Sequence, residues 1–367
     1  MILTYCYRVK GISAAKRLDT MAIAVNQVWN YCGGIQNDSR RLNRRWPNGF
    51  DLIGLTNGCT KELGLHSDTV QAVCKQFAVS RDKARRRPRW RVSFGAKRSL
   101  GWVPFQCARP LRAKRVSPEV SSDTVTFLGR KYRLWLSRPI PPDIRSGSFS
   151  QDADGRWYLN LVCWVEALAP TEVAGDLPVG PGEVGIDLGL KDFAALSTGE
   201  KIANPRHLRK SAASLARAQR AGRKRLARKI HRKVAAQRRH FLHEQSTRIV
   251  RANALICVGD VNSAALARTK MAKSVLDAGW TAFRSMLRYK AIRHGARFVE
   301  TNERYSTQTC SCCGSRAGAP KGVKGLRVRS WVCESCGVVH DRDTNAALNI
   351  LRSGRNAALR STEIPAV

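Results

Sequence analysis

Four cysteines are spaced as two matching pairs, Cys310-Ser-Cys-Cys313 and Cys333-Glu-Ser-Cys336. A C-x2-C knuckle, nineteen intervening residues and a second C-x2-C knuckle form the four-thiolate pattern of a zinc ribbon. Each tight knuckle presents two sulfurs, and two knuckles complete a tetrahedron. Gly314 and Gly337 follow the second cysteine of each pair, where the turn needs a permissive backbone. Four thiolates saturate the ion, so the predicted Zn²⁺ is structural, and Cys312 is left as a spare thiol. Carboxylates carry a second chemistry. The run Gly185-Ile-Asp187-Leu-Gly189 puts Asp187 at the end of a predicted buried strand, beside a glycine turn. Asp341-Arg-Asp343-Thr-Asn345 puts Asp343 at the start of a predicted C-terminal helix. Singly, these would serve as a turn residue and a helix N-cap. Acids are scarce in this chain, and two such motifs together point to a carboxylate cluster that holds divalent metal against a phosphodiester. Oxygen ligands suit Mg²⁺, and two ions would stabilise the attacking and leaving oxygens.

The elements that must position these groups can be read from hydrophobic spacing. Ile2 to Val9 is strand-like, and Leu18, Met21, Val25, Val28, Trp29 and Cys32 recur at helical spacing. A second helix starts near Ser67, taken as its N-cap, and carries Val70, Cys74 and Phe77 on one face. Thr124–Leu128 and Lys131–Leu136 flank Gly129-Arg130 as a hairpin, and Trp157 to Val165 alternates after the Asp154-Gly155 turn. A Pro/Gly/Ala-rich linker comes next, over 168–183. Beyond it, strands Val184–Asp187, Phe193–Leu196, Ala254–Val258 and Ala296–Thr301 alternate with helical stretches, among them a long one over about 206–252. That alternation argues for an α/β domain.

The partner class comes from charge. With 65 Lys+Arg and 27 Asp+Glu the 367-residue chain carries a formal +38, while 43% apolar residues suffice for real cores. A folded chain this basic is expected to bind nucleic acid. From Arg206 to Arg239, 14 of 34 residues are Lys or Arg and none is acidic, so the helices there would repel themselves without a polyanion. No 18-residue apolar run exists and MILTYCYRVK has too short an apolar core for a signal peptide, which argues against a membrane partner. The expected location is therefore the cytoplasm, near the bacterial nucleoid. In that reducing compartment the twelve cysteines are not a disulfide framework.

The order GIDLGL, long basic segment, YSTQTCSCCG, CESCG, DRDTNAALNIL resembles the TnpB family, RNA-guided nucleases of bacterial insertion sequences related to type V CRISPR effectors. The matching motifs lie between residues 184 and 352; the N-terminal half agrees in layout only. The resemblance implies an α/β nuclease domain, RuvC/RNase H-like, with an inserted zinc ribbon. It also implies an N-terminal wedge-type β-barrel carrying a helical recognition insertion. The implied boundaries are 1–10 and 89–167 for the barrel, 11–88 for the insertion, and 184–308 with 338–353 for the nuclease domain. The ribbon would span 309–337 and a flexible tail 354–367. The implied cofactors are two Mg²⁺, a structural Zn²⁺ and a guide RNA. The implied partners are guide RNA, target DNA and a co-encoded transposase acting on the same element. Asp187 takes the place of the first catalytic acid and Asp343 that of the third.

The second acid departs from the family. TnpB-like sequences carry Glu at the end of the middle strand, in a pattern like V-E-D-L-N; here it reads Val258-Gly259-Asp260-Val261-Asn262. Asp260 is one residue along, which in a strand turns the side chain to the other face. Phe298-Val-Glu300-Thr-Asn-Glu303 ends on the next strand, and ligands gather outside the carboxyl ends of such strands. We rank Glu303 first, Asp260 second and Glu300 third as the replacement, beside the possibility that the site no longer cuts. Expected nucleic-acid contacts are Arg86, Arg87, Arg89, Arg91, Lys97, Arg98 and Trp102, which mix cations with a stacking surface, and Arg223, Lys224, Arg228 and Arg232 in the acid-free segment. The leading reading is an RNA-guided, Mg²⁺-dependent DNA endonuclease cutting beside a short flanking motif. Its alternatives are an RNA-guided repressor with an inactive nuclease and an RNA-independent zinc-ribbon accessory protein of transposition.

Overall fold

The computed structural model describes residues 2–106, 111–113, 123–165, 181–320 and 328–362. The chain divides into two units, Met1–Glu166 and Ala167–Val367. In the first, a seven-stranded antiparallel series runs in the order β2-β6-β7-β1-β5-β4-β3. Its strands are β1 (Ile2–Val9), β2 (Trp102–Phe105), β3 (Leu111–Ala113), β4 (Thr124–Phe127), β5 (Arg130–Trp135), β6 (Ile144–Gln151) and β7 (Trp157–Trp164). Alternation decides which face is core. In β7, Trp157, Leu159, Leu161 and Cys163 are buried while their neighbours are half-exposed. They close over Phe105, Phe127, Tyr132 and Phe149, whose rings pack at centroid distances of 5.1–6.5 Å. The β4–β5 hairpin turns one residue earlier than the composition implied: Leu128 and Gly129 take the two left-handed positions and Arg130 already pairs with Phe127. Among the described residues the series ends on β2 and β3, so an unbroken barrel ladder is not seen; residues 107–110 and 114–122 lie outside the description.

Four helices interrupt the sheet between β1 and β2: α1 (Ile12–Arg41), α2 (Gly49–Leu55), α3 (Cys59–Leu63) and α4 (Ser67–Ala84). Leu18, Val25, Val28, Trp29 and Cys32 form the buried stripe of α1, and Val70, Val73, Cys74 and Phe77 that of α4. His66, not Ser67, caps α4, its ring accepting from the Asp68 N–H at 3.2 Å. Nor do strands start at 89: residues 89–101 run irregularly along α1, with Trp29 donating to the Arg89 carbonyl and Asn30 bonding Arg91 in both directions.

The second unit holds a five-stranded sheet, order β10-β9-β8-β11-β12, made of β8 (Gly182–Leu188), β9 (Asp192–Leu196), β10 (Lys201–Ala203), β11 (Asn253–Gly259) and β12 (Arg297–Thr301). β8, β9 and β10 are antiparallel neighbours, whereas β8, β11 and β12 run parallel. The crossovers are helical: α5 (His207–Arg220) and α6 (Lys224–Ala252) before β11, then α7 (Ser263–Leu266), α8 (Ala272–Ala278) and α9 (Trp280–Arg293) before β12. The long basic stretch is thus two helices, broken at Gly222, whose φ is +63°. Most of the linker assigned to 168–183 lies outside the description, and β8 already begins at Gly182. A two-stranded ribbon, β13 (Ser330–Val332) with β14 (Val339–Asp341), leads into α10 (Arg342–Thr362). The tail expected from 354 is therefore helical to Thr362, because Ala358 packs on the sheet with Leu255, Cys257, Ile350 and Leu351. The last five residues lie outside the description.

The two faces of this sheet divide by strand period. Ile256 and Val258 point to α6 and α9, into a core with Phe193, Leu242, Ile249, Phe283 and Leu287. Leu255 and Cys257, and hence Gly259, point to α10. No helix among the described residues is long and apolar enough to cross a membrane.

Candidate active site and zinc ribbon

Glycines bring α10 down onto the strand ends. A Cβ on Gly185 would run into the Ala347 carbonyl and Leu351, and one on Gly354 into Cys257. The helix therefore lies directly on the backbone of β8 and β11. Asp187, two residues after Gly185, shares its face and looks at the first turn of α10, where Asp343 sits. Asp341, not Asp343, caps the helix, its Oδ1 accepting from the Thr344 N–H at 3.0 Å. Its other oxygen takes Lys201 Nζ at 2.7 Å. Capping by Asp341 leaves the Asp343 carboxylate to two guanidiniums, Arg329 at 3.2 Å and Arg342 at 3.1 Å.

Gly259 ends β11 on the same face. A Cβ built there would meet the Glu303 carboxylate at 2.6 Å, Glu303 Cβ at 3.2 Å and Ile350 Cδ1 at 3.3 Å. Glu303, in the loop leaving β12, thus fills the space above the glycine. Electrostatics join the three acids. Burial pushes the Asp187 carboxyl up to about 8, and the charges of Asp343 and Glu303 push the same way against Arg342. Glu303 is also raised, by burial first and then by Asp260, with Arg284 opposing. The other two candidates are engaged differently. Asp260 is exposed and accepts the Glu303 backbone N–H at 3.2 Å, so it holds the loop. Glu300 points to the opposite face, paired with Arg288 of α9 at 2.8 Å.

The donor set suits Mg²⁺: three carboxylates, one from each of two strand ends or exits and one from a helix start. Among the described residues the set of His, Cys, Asp or Glu side chains grouped closely enough to hold an ion is Cys310, Cys313, Cys333 and Cys336, whose ligand atoms all lie within 4.8 Å of one another. The four sulfurs fit zinc. Cys310 and Cys336 stand 3.7 Å apart and Cys313 and Cys333 3.6 Å, against about 3.8 Å for a tetrahedron of Zn–S bonds. Burial works against ionising Cys310, but the backbone donors of Cys313 and Cys312 and the His340 ring bring its thiol down to about 6. Cys312 is exposed and outside the set.

Residue spacing did not single out the groups that tie the ribbon to α10. Asn345, 1% exposed, accepts the Ser311 N–H at 2.8 Å and donates to the Ser306 and Thr309 carbonyls at 3.2 and 2.8 Å. Asn349, one turn on, donates to the same carbonyls at 2.9 and 2.6 Å. Their i,i+4 spacing was a usable signal. His340 had none.

The basic residues divide. Arg86, Arg87, Arg89 and Lys97 are exposed, as are Arg223, Lys224 and Arg228, with Arg232 half-exposed. Arg91 and Trp102 are turned inward instead. Arg91 Nε donates to Asn26 at 2.7 Å and its guanidinium lies 5.5 Å from both Trp29 and Trp102. Arg98 donates to Gln151 at 2.8 Å. These groups brace the first unit.

Residues 176–270 match the family model described as "Probable transposase", and residues 280–350 match "Cas12f1-like, TNB domain". The chain is 39% identical over 238 residues to a Streptomyces pristinaespiralis protein named "Putative RNA-guided DNA endonuclease", covering 60% of this chain and 56% of that one. It is 26% identical over 246 residues to the Escherichia coli K12 protein of the same name with the suffix InsQ, covering 59% and 58%. "TnpB-like protein L79" of Acanthamoeba polyphaga mimivirus is 30% identical over 135 residues, 35% of this chain and 25% of its own. The matched stretch thus spans a little over half the length of the two bacterial relatives. With the motif order, both family models and these relatives agreeing, the chain belongs to the TnpB family.

Proposed function

We propose that this chain is an RNA-guided, Mg²⁺-dependent DNA endonuclease with a RuvC-like site made of Asp187, Glu303 and Asp343. The five-stranded sheet, three strands antiparallel and the last two added in parallel, with α10 across the strand ends, supports the RNase H-like assignment. The observation that carries the reading is the Glu303 carboxylate standing 2.6 Å from where a Cβ on Gly259 would be. A glutamate from the neighbouring strand's exit thereby covers the position where the family carries its acid. Bound Mg²⁺ would supply an activated water and stabilise the leaving oxygen. The chain's part is to hold three carboxylates at fixed separation. Asp187 stands near the end of β8, Asp343 is presented by the helix start, and Asp260 steadies the loop that carries Glu303. Burial, and after it the charges of Asp343 and Glu303, holds the Asp187 carboxyl above its ordinary range, and bound cations would favour its ionised form. Guide RNA and target DNA would lie on exposed cations such as Arg86, Arg89, Arg223 and Lys224, with base pairing supplying sequence specificity.

The test is cleavage of guide-matched DNA by wild type and by Asp187→Ala, Glu303→Ala and Asp343→Ala, with target binding measured alongside. Loss of cleavage with binding retained in all three is expected. A second reading, DNA occupancy without cutting, is favoured by the two guanidiniums on Asp343, which compete with metal. Tight guided binding without cleavage by wild type, reversed by Gly259→Glu, would establish it.

A further inference from the structure

Resting on the catalytic reading of Asp343, we propose that His340 and Asn345 are positioning residues through which zinc loading of the ribbon sets the place of that acid. His340 Nε2 lies 2.9 Å from Cys310 Sγ, and its ring packs tilted on Trp331 with centroids 4.8 Å apart. The residue is 7% exposed, in a cluster where Cys310, Cys333, Ala319 and Trp331 are also buried. A zinc-bound thiolate is a fixed, negatively charged acceptor, and a ring N–H aimed at it is held in one orientation. His340 is the middle residue of β14, paired to Trp331, and the chain runs from it without a break into α10.

The residues just after His340 clamp the third acid. Asp341 caps the helix and holds Lys201. The Arg342 N–H donates to the Arg329 carbonyl at 2.8 Å, and both guanidiniums sit on Asp343. Three positions along the chain carry the group on the sulfur to the carboxylate. A second tie runs through Asn345, which binds the Ser311 N–H, next to Cys310, and the carbonyls on the way to it. The first knuckle and the first turn of α10 are therefore one hydrogen-bonded body. Without metal the four sulfurs lose their common centre, Cys310 can turn away from His340, and both ties loosen together.

The experiment uses the full chain. Amide exchange over residues 340–346 is measured with zinc bound and after treatment with a zinc chelator. Manganese binding at the acids is followed by calorimetry in wild type, His340→Ala, His340→Gln and Asn345→Ala. Zinc removal is expected to speed exchange in that segment at least tenfold while β8 and β11 keep their rates. His340→Ala should retain about one zinc per chain, since all four ligands remain, yet bind manganese about tenfold more weakly, within the usual range of coupling between two sites. His340→Gln, whose amide can donate to the same sulfur, should recover part of that loss, and Asn345→Ala should repeat the effect should His340→Ala fail to fold. In cleavage, kcat should fall with KM unchanged. Unchanged exchange on zinc removal, or wild-type manganese affinity in zinc-loaded His340→Ala and Asn345→Ala, overturns the coupling. If Asp187→Asn leaves manganese binding intact, the nuclease reading fails by itself, and the exchange measurement still decides the coupling.

Discussion

Gly259→Ala is the smallest change that separates the proposed role of Glu303 as the second acid from ordinary packing. Gly259 is not in the left-handed region, so alanine brings no backbone strain. Its methyl would stand 2.6 Å from the Glu303 carboxylate, and something must move. The nearest atom is the far end of a flexible side chain, so the carboxylate swings out at little cost to the fold. The gain from burying one methyl is about 0.8 kcal/mol. Alanine is preferred over glycine in a strand by roughly 0.5–1 kcal/mol. Crowding against Ile350 costs roughly 1–3 kcal/mol. Stability should then change by no more than about 2 kcal/mol in either direction. Activity should change far more, because displacing one carboxylate from a metal site removes several kcal/mol of transition-state stabilisation. At 1.36 kcal/mol per decade, roughly 3–4 kcal/mol is a loss of two to three decades in the single-turnover rate. The assay is cleavage of guide-matched DNA under Mg²⁺, with thermal unfolding as the control for folding. Adding Gly259→Glu to Glu303→Ala should restore cleavage, since the new carboxylate grows into the vacated space. Wild-type cleavage by Gly259→Ala would refute the assignment of Glu303, and loss of cleavage in Asp260→Ala with full activity in Glu303→Ala would transfer the role to Asp260.

The pure protein should contain about one zinc per chain. Cys333→Ser should lose the zinc and loosen the ribbon, while Cys312→Ser keeps it; folded protein without zinc by metal analysis would end that assignment. Replacing Lys224 and Arg228 of α6 with alanine should weaken RNA binding at every sequence tested and flatten the slope of log K against log salt by about 0.7 per lost phosphate contact with single-stranded RNA. An unchanged slope would remove these residues from the interface. Lys290, 7% exposed, donates to the His243 carbonyl, Ser246 and Thr247 at 2.7–2.8 Å, and burial together with the charge of Arg251 brings its ammonium down to about 8. A base lowered in the fold contributes stability that is complete above its ordinary value near 10.5 and is lost as pH falls through about 8. Wild type should therefore gain stability, relative to Lys290→Met, as pH rises from 7 to 10; parallel profiles by thermal unfolding would contradict this.

Whatever depends on local spacing was legible along the chain. The four-cysteine set could be read because a knuckle is four residues long and its sulfurs need no distant partner to be placed. The buried strands and the stripes of α1 and α4 could be read because period 2 and period 3.6 are properties of the backbone. Asp187 and Asp343 were legible as a strand end and a helix start. The ends of elements were less so: the cap fell to His66 where a serine stood beside it, and α10 ran on to Thr362 because its last turns pack on β11, a contact between residues about a hundred positions apart. The second acid is the clearest division. Sequence could rank Glu303, Asp260 and Glu300 but could not choose among them by spacing, since all three lie within two residues of a strand end. Where each side chain points is a property of the packed fold. Glu300 follows the strand period to the α9 face and meets Arg288, Asp260 turns to the Glu303 backbone, and Glu303, already past β12, is free of the period and folds back over Gly259. The tie from Cys310 through His340 to the helix that carries Asp343 was likewise invisible along the chain, because a contact between a sulfur and a ring thirty residues away exists only once the ribbon has closed.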